Sequence, residues 1–188
     1  MNREKPIVIC LFGFMAVGKL TIAEKLNDIL QLTLFHNHML NDFIGKIFPR
    51  GSKARGWLID KHRLEIIEGA AESGISLVMT HAYSSNYTSS RGVNDLEYVE
   101  KMENLVKKHN GVFYGIHLIA DEKIVLGRIN NESRSHHNKL TDLETAKNMI
   151  SKYGEQKPPQ INNRLTINTG KNSVEESVSK IIEFIKNN

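Results

Sequence analysis

Nine consecutive residues carry the clearest chemistry in this chain: Gly13-Phe14-Met15-Ala16-Val17-Gly18-Lys19-Leu20-Thr21. Their pattern is G-x-x-x-x-G-K. The two glycines let the backbone wrap closely, so that successive N–H groups converge on an anion. A helix starting at Gly18 would add the partial positive charge of its N-terminus at the same point. Lys19 could then reach the outer phosphates of a nucleoside triphosphate and neutralise charge as a phosphoryl group moves. The competing explanation is a glycine-bearing turn with an incidental lysine. The context opposes it, because the apolar run Ile7-Val8-Ile9-Cys10-Leu11-Phe12 reads as a buried strand leading straight into the loop.

One position departs from the pattern. The residue after the lysine should be Ser or Thr, whose hydroxyl holds Mg²⁺. Here it is Leu20, which has no ligand atom, and Thr21 follows. Nucleotide binding is therefore supported, while metal coordination by the loop itself is in question.

The loop must be positioned by regular elements, and the rest of the chain supplies them. A helix is expected over 18–31, with Ile22, Leu26, Ile29 and Leu30 on one side. A short strand follows at 33–36, then a helix at 40–48 ending before Pro49. A longer helix carries Trp57, Leu64, Ile67 and Ala71, closed by Gly74. Residues 75–80 read as the third strand and 111–119 as the fourth. Three pairs have the spacing of a capping box: Asn94 with Glu97, Thr141 with Glu144 and Ser173 with Glu176. Asp121 caps a further helix through Ile124, Val125 and Arg128. Leu165-Thr166-Ile167 is the last strand, and Val174, Val178, Ile181 and Ile185 mark the final helix. Strands alternating with helices imply a parallel sheet, and hence a three-layer α/β/α fold with five strands.

Composition narrows the class further. The 188 residues are 40% hydrophobic and 24% charged, an ordinary globular balance that suits one domain over 1–188. The net charge of +4 is compatible with a phosphorylated ligand. There is no basic run, zinc-finger spacing or aromatic RNA-binding motif, so no nucleic-acid partner is expected. No apolar run approaches a membrane span, and no membrane partner is expected. The single cysteine, Cys10, cannot form an internal disulfide, which points to the cytoplasm.

With the loop, the size and the five strands in view, the chain resembles the P-loop small-molecule kinases, the group of nucleotide, shikimate and gluconate kinases. The stretches Ala16-Val17-Gly18-Lys19-Leu20-Thr21 and Leu34-Phe35-His36-Asn37-His38 are still more similar to poorly characterised bacterial ATP-binding proteins of AAA-family or shikimate-kinase-like type. The resemblance covers almost the whole chain. It implies ATP with Mg²⁺ as cofactor, with residues 13–21 binding the nucleotide and Thr21 beside the α-phosphate. It implies a lid near 121–157 whose Arg128 and Arg134 act on the transferring phosphoryl group. Asn168, Thr169 and Gly170 would lie against the adenine ring.

The same resemblance places acceptor contacts after the second strand and on the following helix. His36, His38, Asp42 and Arg63 are the candidates there, with Arg55 close by and His81 at the end of the third strand. Shikimate-type enzymes use an Asp after the second strand, where this chain has histidines; a histidine can serve as base or hydrogen-bond donor. Each has a plainer alternative: a satisfied strand end for the histidines, a surface charge for the arginines. A zinc site from His36, His38 and His81 is also conceivable. His136 and His137 fall in the lid, and His62, His109 and His117 read as structural or surface residues. A strand beside the first usually ends in a metal-supporting Asp in this group, yet Leu77-Val78-Met79-Thr80-His81 has none. The reading is an ATP-dependent phosphotransferase acting on a small metabolite. The alternatives are a nucleotide-binding protein with little or no kinase activity and a nucleic-acid-linked ATPase.

Overall fold

The computed structural model describes residues 5–89, 91–129 and 142–188. Five strands are joined by helices: β1 (Ile7–Gly13), α1 (Lys19–Leu30), β2 (Thr33–Phe35), α2 (Asn37–Gly45), α3 (Lys53–Glu72), β3 (Leu77–Ala82), α4 (Asp95–Lys108), β4 (Val112–Ile119), α5 (Glu122–Ile129), α6 (Leu143–Tyr153), β5 (Asn163–Asn168) and α7 (Val174–Lys186). The sheet order is β2-β3-β1-β4-β5. Every pairing is parallel.

Alternation along β1 explains the two cores. Ile9 and Leu11 face α1 and α7, packing with Ile22, Leu26, Val178 and Ile181. Val8, Cys10 and Phe12 face α3 and α4, packing with Ile67, Ala70, Val99 and Met102. All five strand side chains are 0% exposed. Each large apolar side chain buried this way contributes about 1.5–3 kcal/mol, so the central strand is fixed from both faces.

Order reversal around β1 places the site. From β1 the chain reaches β3 on one side and β4 on the other, so the crevice beyond the carboxyl end of β1 is the switch point where doubly wound sheets bind ligands. The loop 13–18 begins there.

Element boundaries differ from expectation in places. α2 starts at Asn37 rather than at 40, so His36 is its N-cap and His38 lies in its first turn. β3 runs two residues later than expected, which puts His81 and Ala82 inside the strand. The cap of α6 is Asp142, whose carboxylate accepts from the Thr145 amide; Thr141 lies outside the described residues. Of the other two boxes, Ser173 and Glu176 satisfy each other's backbone N–H fully, and Asn94 accepts from the Glu97 amide.

A row of rings crosses the sheet above the core. Phe12 pairs with His81 on β3 and His117 on β4. His117 stacks on Phe12 at 5.0 Å and meets Tyr83 edge-on at 5.5 Å. Neither imidazole has a hydrogen-bond partner among the described residues. Burial therefore holds both neutral: His81 sits well below its usual range, and His117 falls to about 4. The folded state binds fewer protons than the unfolded chain between pH 6.5 and about 4. The stabilisation from neutral His117 is thus present above pH 6.5 and lost as pH falls toward 4, up to about 3 kcal/mol. Asp95 opposes this, since burial raises it to about 7 and its contribution fades as pH rises. His117→Phe isolates the first effect. Its urea stability should gain on the parent's as pH drops from 7 to 4.5; a constant difference across that range would show that His117 does not titrate in this way.

Candidate functional site

A continuous cleft of about 1810 Å³ opens over the carboxyl ends of β1 and β3. That exceeds the usual 300–1,000 Å³ of a single small-ligand site, so it has room for two reactants side by side. One end is the glycine loop, and the other is walled by α2, α3 and the segment after β3.

Two glycines make the loop possible. A Cβ on Gly13 would meet the Leu118 carbonyl oxygen at 2.1 Å, and its φ is 149°. Gly18 is left-handed, with φ of 88°, as it turns the chain into α1. Ala16 also adopts a positive φ of 57°. Unlike α4, α6 and α7, helix α1 has no side chain capping its N-terminus and no acid in its first turn. Its leading amides therefore present positive potential to the cleft without a competing carboxylate. The Lys19 ammonium lies on the loop, donating to the carbonyls of Gly13 at 2.8 Å and Phe14 at 2.5 Å.

The predicted nucleotide residues divide into two groups. Met15, Ala16, Gly18, Lys19, Leu20 and Thr21 line the cleft. Phe14 and Val17 turn their side chains into the core, leaving only backbone for a ligand. In the loop after β5, Thr169 lines the cleft together with Asn172, whereas the Asn168 side chain accepts from the Gly170 amide. The Thr169 hydroxyl is 2.9 Å from the Val17 carbonyl. Arg128 reinforces that junction, donating to the Thr169 carbonyl at 2.7 Å, the Thr169 hydroxyl at 3.0 Å and the Ala16 carbonyl at 3.4 Å. The arginine thus ties the end of α5 to the phosphate loop and to the loop after β5. Arg134, His136 and His137 lie outside the described residues.

At the opposite end, Asn37, His38, Asn41 and Asp42 line the cleft from α2. His36 caps α2, its ring centroid 6.2 Å from that of His38. Arg55 braces α2 against α3, donating to the Asn41 carbonyl at 3.2 Å. Arg63 is buried rather than on the helix surface, 3% exposed, and lies beneath the cleft. It donates to Asp60 Oδ1 at 3.2 Å, Tyr98 Oη at 3.3 Å and Asn37 Oδ1 at 2.5 Å. His81 is buried beneath the cleft, its ring 5.2 Å from that of Tyr98, and does not line it. Thr80 does, and its Oγ1 accepts from the Asn37 amide at 2.9 Å. Asp60, Asn37 and Tyr98 are cleft residues that the sequence motifs did not single out. The spacing Asp60–Arg63, three apart on one helix, was the available signal.

The Leu20 side chain brings no oxygen to the cleft, and β3 ends in Thr80-His81-Ala82, without a carboxylate. Among the described residues no group of three His, Cys, Asp or Glu side chains gathers to hold a metal, the histidine trio included. Oxygen donors lining the cleft, among them the hydroxyls of Thr21 and Thr80 and the carboxylates of Asp42 and Asp60, fit a magnesium ion that is carried largely by phosphate oxygens and water. Among the described residues no helix is long and apolar enough to cross a membrane.

No family model and no curated protein matches the chain. Solved structures do match in fold. A sugar kinase from Janibacter sp. HTCC2649 superposes with a TM-score of 0.68 at 13% identity, over 96% of this chain and 95% of that one. A Mycobacterium tuberculosis APS kinase, solved with AMPPNP and APS, gives 0.66 at 12%, over 97% and 99%. A gluconokinase from Sinorhizobium meliloti 1021 gives 0.64 at 13%, over 98% and 97%. The chain has the fold of the P-loop small-molecule kinases, an α/β architecture on a five-stranded parallel sheet.

Proposed function

We propose that this protein transfers the γ-phosphate of ATP to a hydroxyl of a small metabolite. The observation that carries the reading is the single cleft joining a complete G-x-x-x-x-G-K loop to a polar second compartment. ATP lies along residues 13–21 with its base toward Thr169 and Asn172, and the acceptor lies between α2 and α3. Loop amides and the α1 N-terminus hold the phosphates, and Lys19 offsets charge on the group in transit. Arg128 positions the loop, a role supported by its bonds to Ala16 and Thr169. In this reading Arg134 acts on the transferring phosphoryl group. His38, Asp42 and the Arg63-supported Asn37 orient the acceptor. Magnesium bound with ATP would neutralise phosphate charge. The protein acts in the cytoplasm.

One specific observation favours a second reading, a nucleotide-binding protein of little activity: Leu20 and Thr80 stand where a hydroxyl and a carboxylate usually support the metal. ADP release decides between them. The transferase reading expects ATP consumption that rises on adding one acceptor from a panel of sugar acids, nucleosides and cyclic hydroxy acids. Consumption that no acceptor alters would favour the second reading.

A further inference from the structure

A hydroxyl that attacks phosphorus must give up its proton, and a positioned carboxylate is a suitable recipient. Four carboxylate residues line the cleft among the described residues: Asp42, Asp60, Glu65 and Glu68. Glu68 is taken by Lys108 at 2.7 Å. Glu65 is 53% exposed and shared between Lys61 and His62. Asp42 is half-buried on α2, and no hydrogen bond or ion pair among the described residues fixes its orientation.

Asp60 is held differently. Its Oδ1 accepts from Arg63 at 3.2 Å, with the carboxylate side chain 37% exposed above an arginine side chain that is only 4% exposed. Arg63 is itself fixed by Asn37 and Tyr98, and the Tyr98 hydroxyl donates to the Asp60 carbonyl at 2.7 Å. This closed network sets the carboxylate in one orientation, while no donor among the described residues engages Oδ2. Burial also raises the proton affinity of Asp60, and the Arg63 charge only partly reverses this. The groups that share its field are Arg63 on α3, Tyr98 and Asp95 on α4, and Tyr87 in the segment after β3.

Resting on the phosphotransferase reading, we propose that Asp60 is the base that receives the acceptor's hydroxyl proton. The O–H bond breaks toward the carboxylate as the acceptor oxygen bonds to the γ-phosphorus. The bond from that phosphorus to the β–γ bridging oxygen breaks, and ADP departs with the electron pair. Asn37 and Thr80, linked to each other at 2.9 Å and both lining the cleft, hold the acceptor's neighbouring polar groups beside Asp60.

The test uses the full chain with ATP and D-gluconate, shikimate, D-ribose and adenosine as acceptors. Parent, Asp60→Asn, Asp60→Glu and Asp42→Asn are compared for ATP affinity, thermal unfolding and the pH dependence of acceptor-dependent turnover. Asp60→Asn should keep ATP affinity within about 2-fold while turnover falls about 100-fold or more and the acid limb of the pH profile disappears. Asp60→Glu should retain that limb with a smaller loss. Parent-like turnover in Asp60→Asn, or an acid limb abolished only by Asp42→Asn, overturns the proposal. Should Asp60→Asn not fold, Asp60→Glu with unchanged rate and unshifted limb overturns it equally. A parent that binds ATP but phosphorylates none of the acceptors defeats the phosphotransferase reading itself, and the role of Asp60 falls with it.

Discussion

Lys19→Ala should weaken ATP binding about 10-fold to 100-fold and remove phosphoryl transfer to below about one part in 1,000 of the parent rate. The ammonium sits on the carbonyls of Gly13 and Phe14, at the mouth of the loop and beside the first turn of α1. Phosphate oxygens approaching the loop amides meet that charge directly, and the demand on it grows as negative charge shifts during transfer. The side chain is only partly buried, so its truncation leaves no large cavity and the fold should survive. Isothermal titration with ATP, paired with thermal unfolding, separates the two effects. The expected pattern is lost affinity with an unfolding midpoint close to the parent's. Parent affinity in the variant would mean that the loop does not bind phosphate in the way its sequence implies.

Arg63→Met carries the largest expected cost to stability. The methionine fills similar space but leaves Asp60 Oδ1, Tyr98 Oη and Asn37 Oδ1 without their common donor. Breaking one side of a buried pair costs about 3–5 kcal/mol, and the partial exposure of Asp60 puts this site at about 3. For a chain of this length the unfolding midpoint should drop by about 6–12 °C. Arg63→Lys should recover little, since a single ammonium cannot address three acceptors in the plane of a guanidinium. ATP affinity should stay near the parent's in both variants, because the phosphate loop lies at the other end of the cleft. A midpoint within 2 °C of the parent's, a margin of about 1 kcal/mol or less, would show that the network is not a stabilising element.

The phosphate loop was legible from residues alone because its chemistry is encoded locally. Glycine at 13 and 18 and lysine at 19 fit few other structures once a buried strand precedes them. The parallel sheet followed from the same reasoning, since strands separated by helices have few ways to pair. The acceptor compartment was harder to read. His36 and His38 drew notice as residue types, but whether they share a face depends on α2 starting at Asn37. That start is fixed by a long-range contact, the Asn37 amide on Thr80, forty-three residues away. Arg63 was a candidate acceptor contact, with a helix-surface charge as the plainer alternative. Its burial arises because Tyr98 and Asn37, from two other elements, converge on it. His81 sits at the expected strand end but is buried against Tyr98, beneath the cleft and not in its lining, a matter of packing that a motif does not reveal.

Asp60 shows the same limit from another direction. A carboxylate was sought after β2, where the resemblance places one, and that segment has His36-Asn37-His38. The structure instead brings a carboxylate from α3 to the edge of the same compartment, anchored by Arg63. No local pattern marks it beyond a three-residue spacing that also occurs in ordinary helix-surface ion pairs.

Phosphorus NMR on the intact chain addresses the central claim most directly. The γ-phosphorus of ATP is followed with magnesium present and the acceptor panel added. The account predicts a new phosphomonoester resonance that grows in step with ADP, requires an acceptor and vanishes in Lys19→Ala. A γ-resonance that persists unchanged, or one that passes only into inorganic phosphate whatever acceptor is supplied, would contradict it.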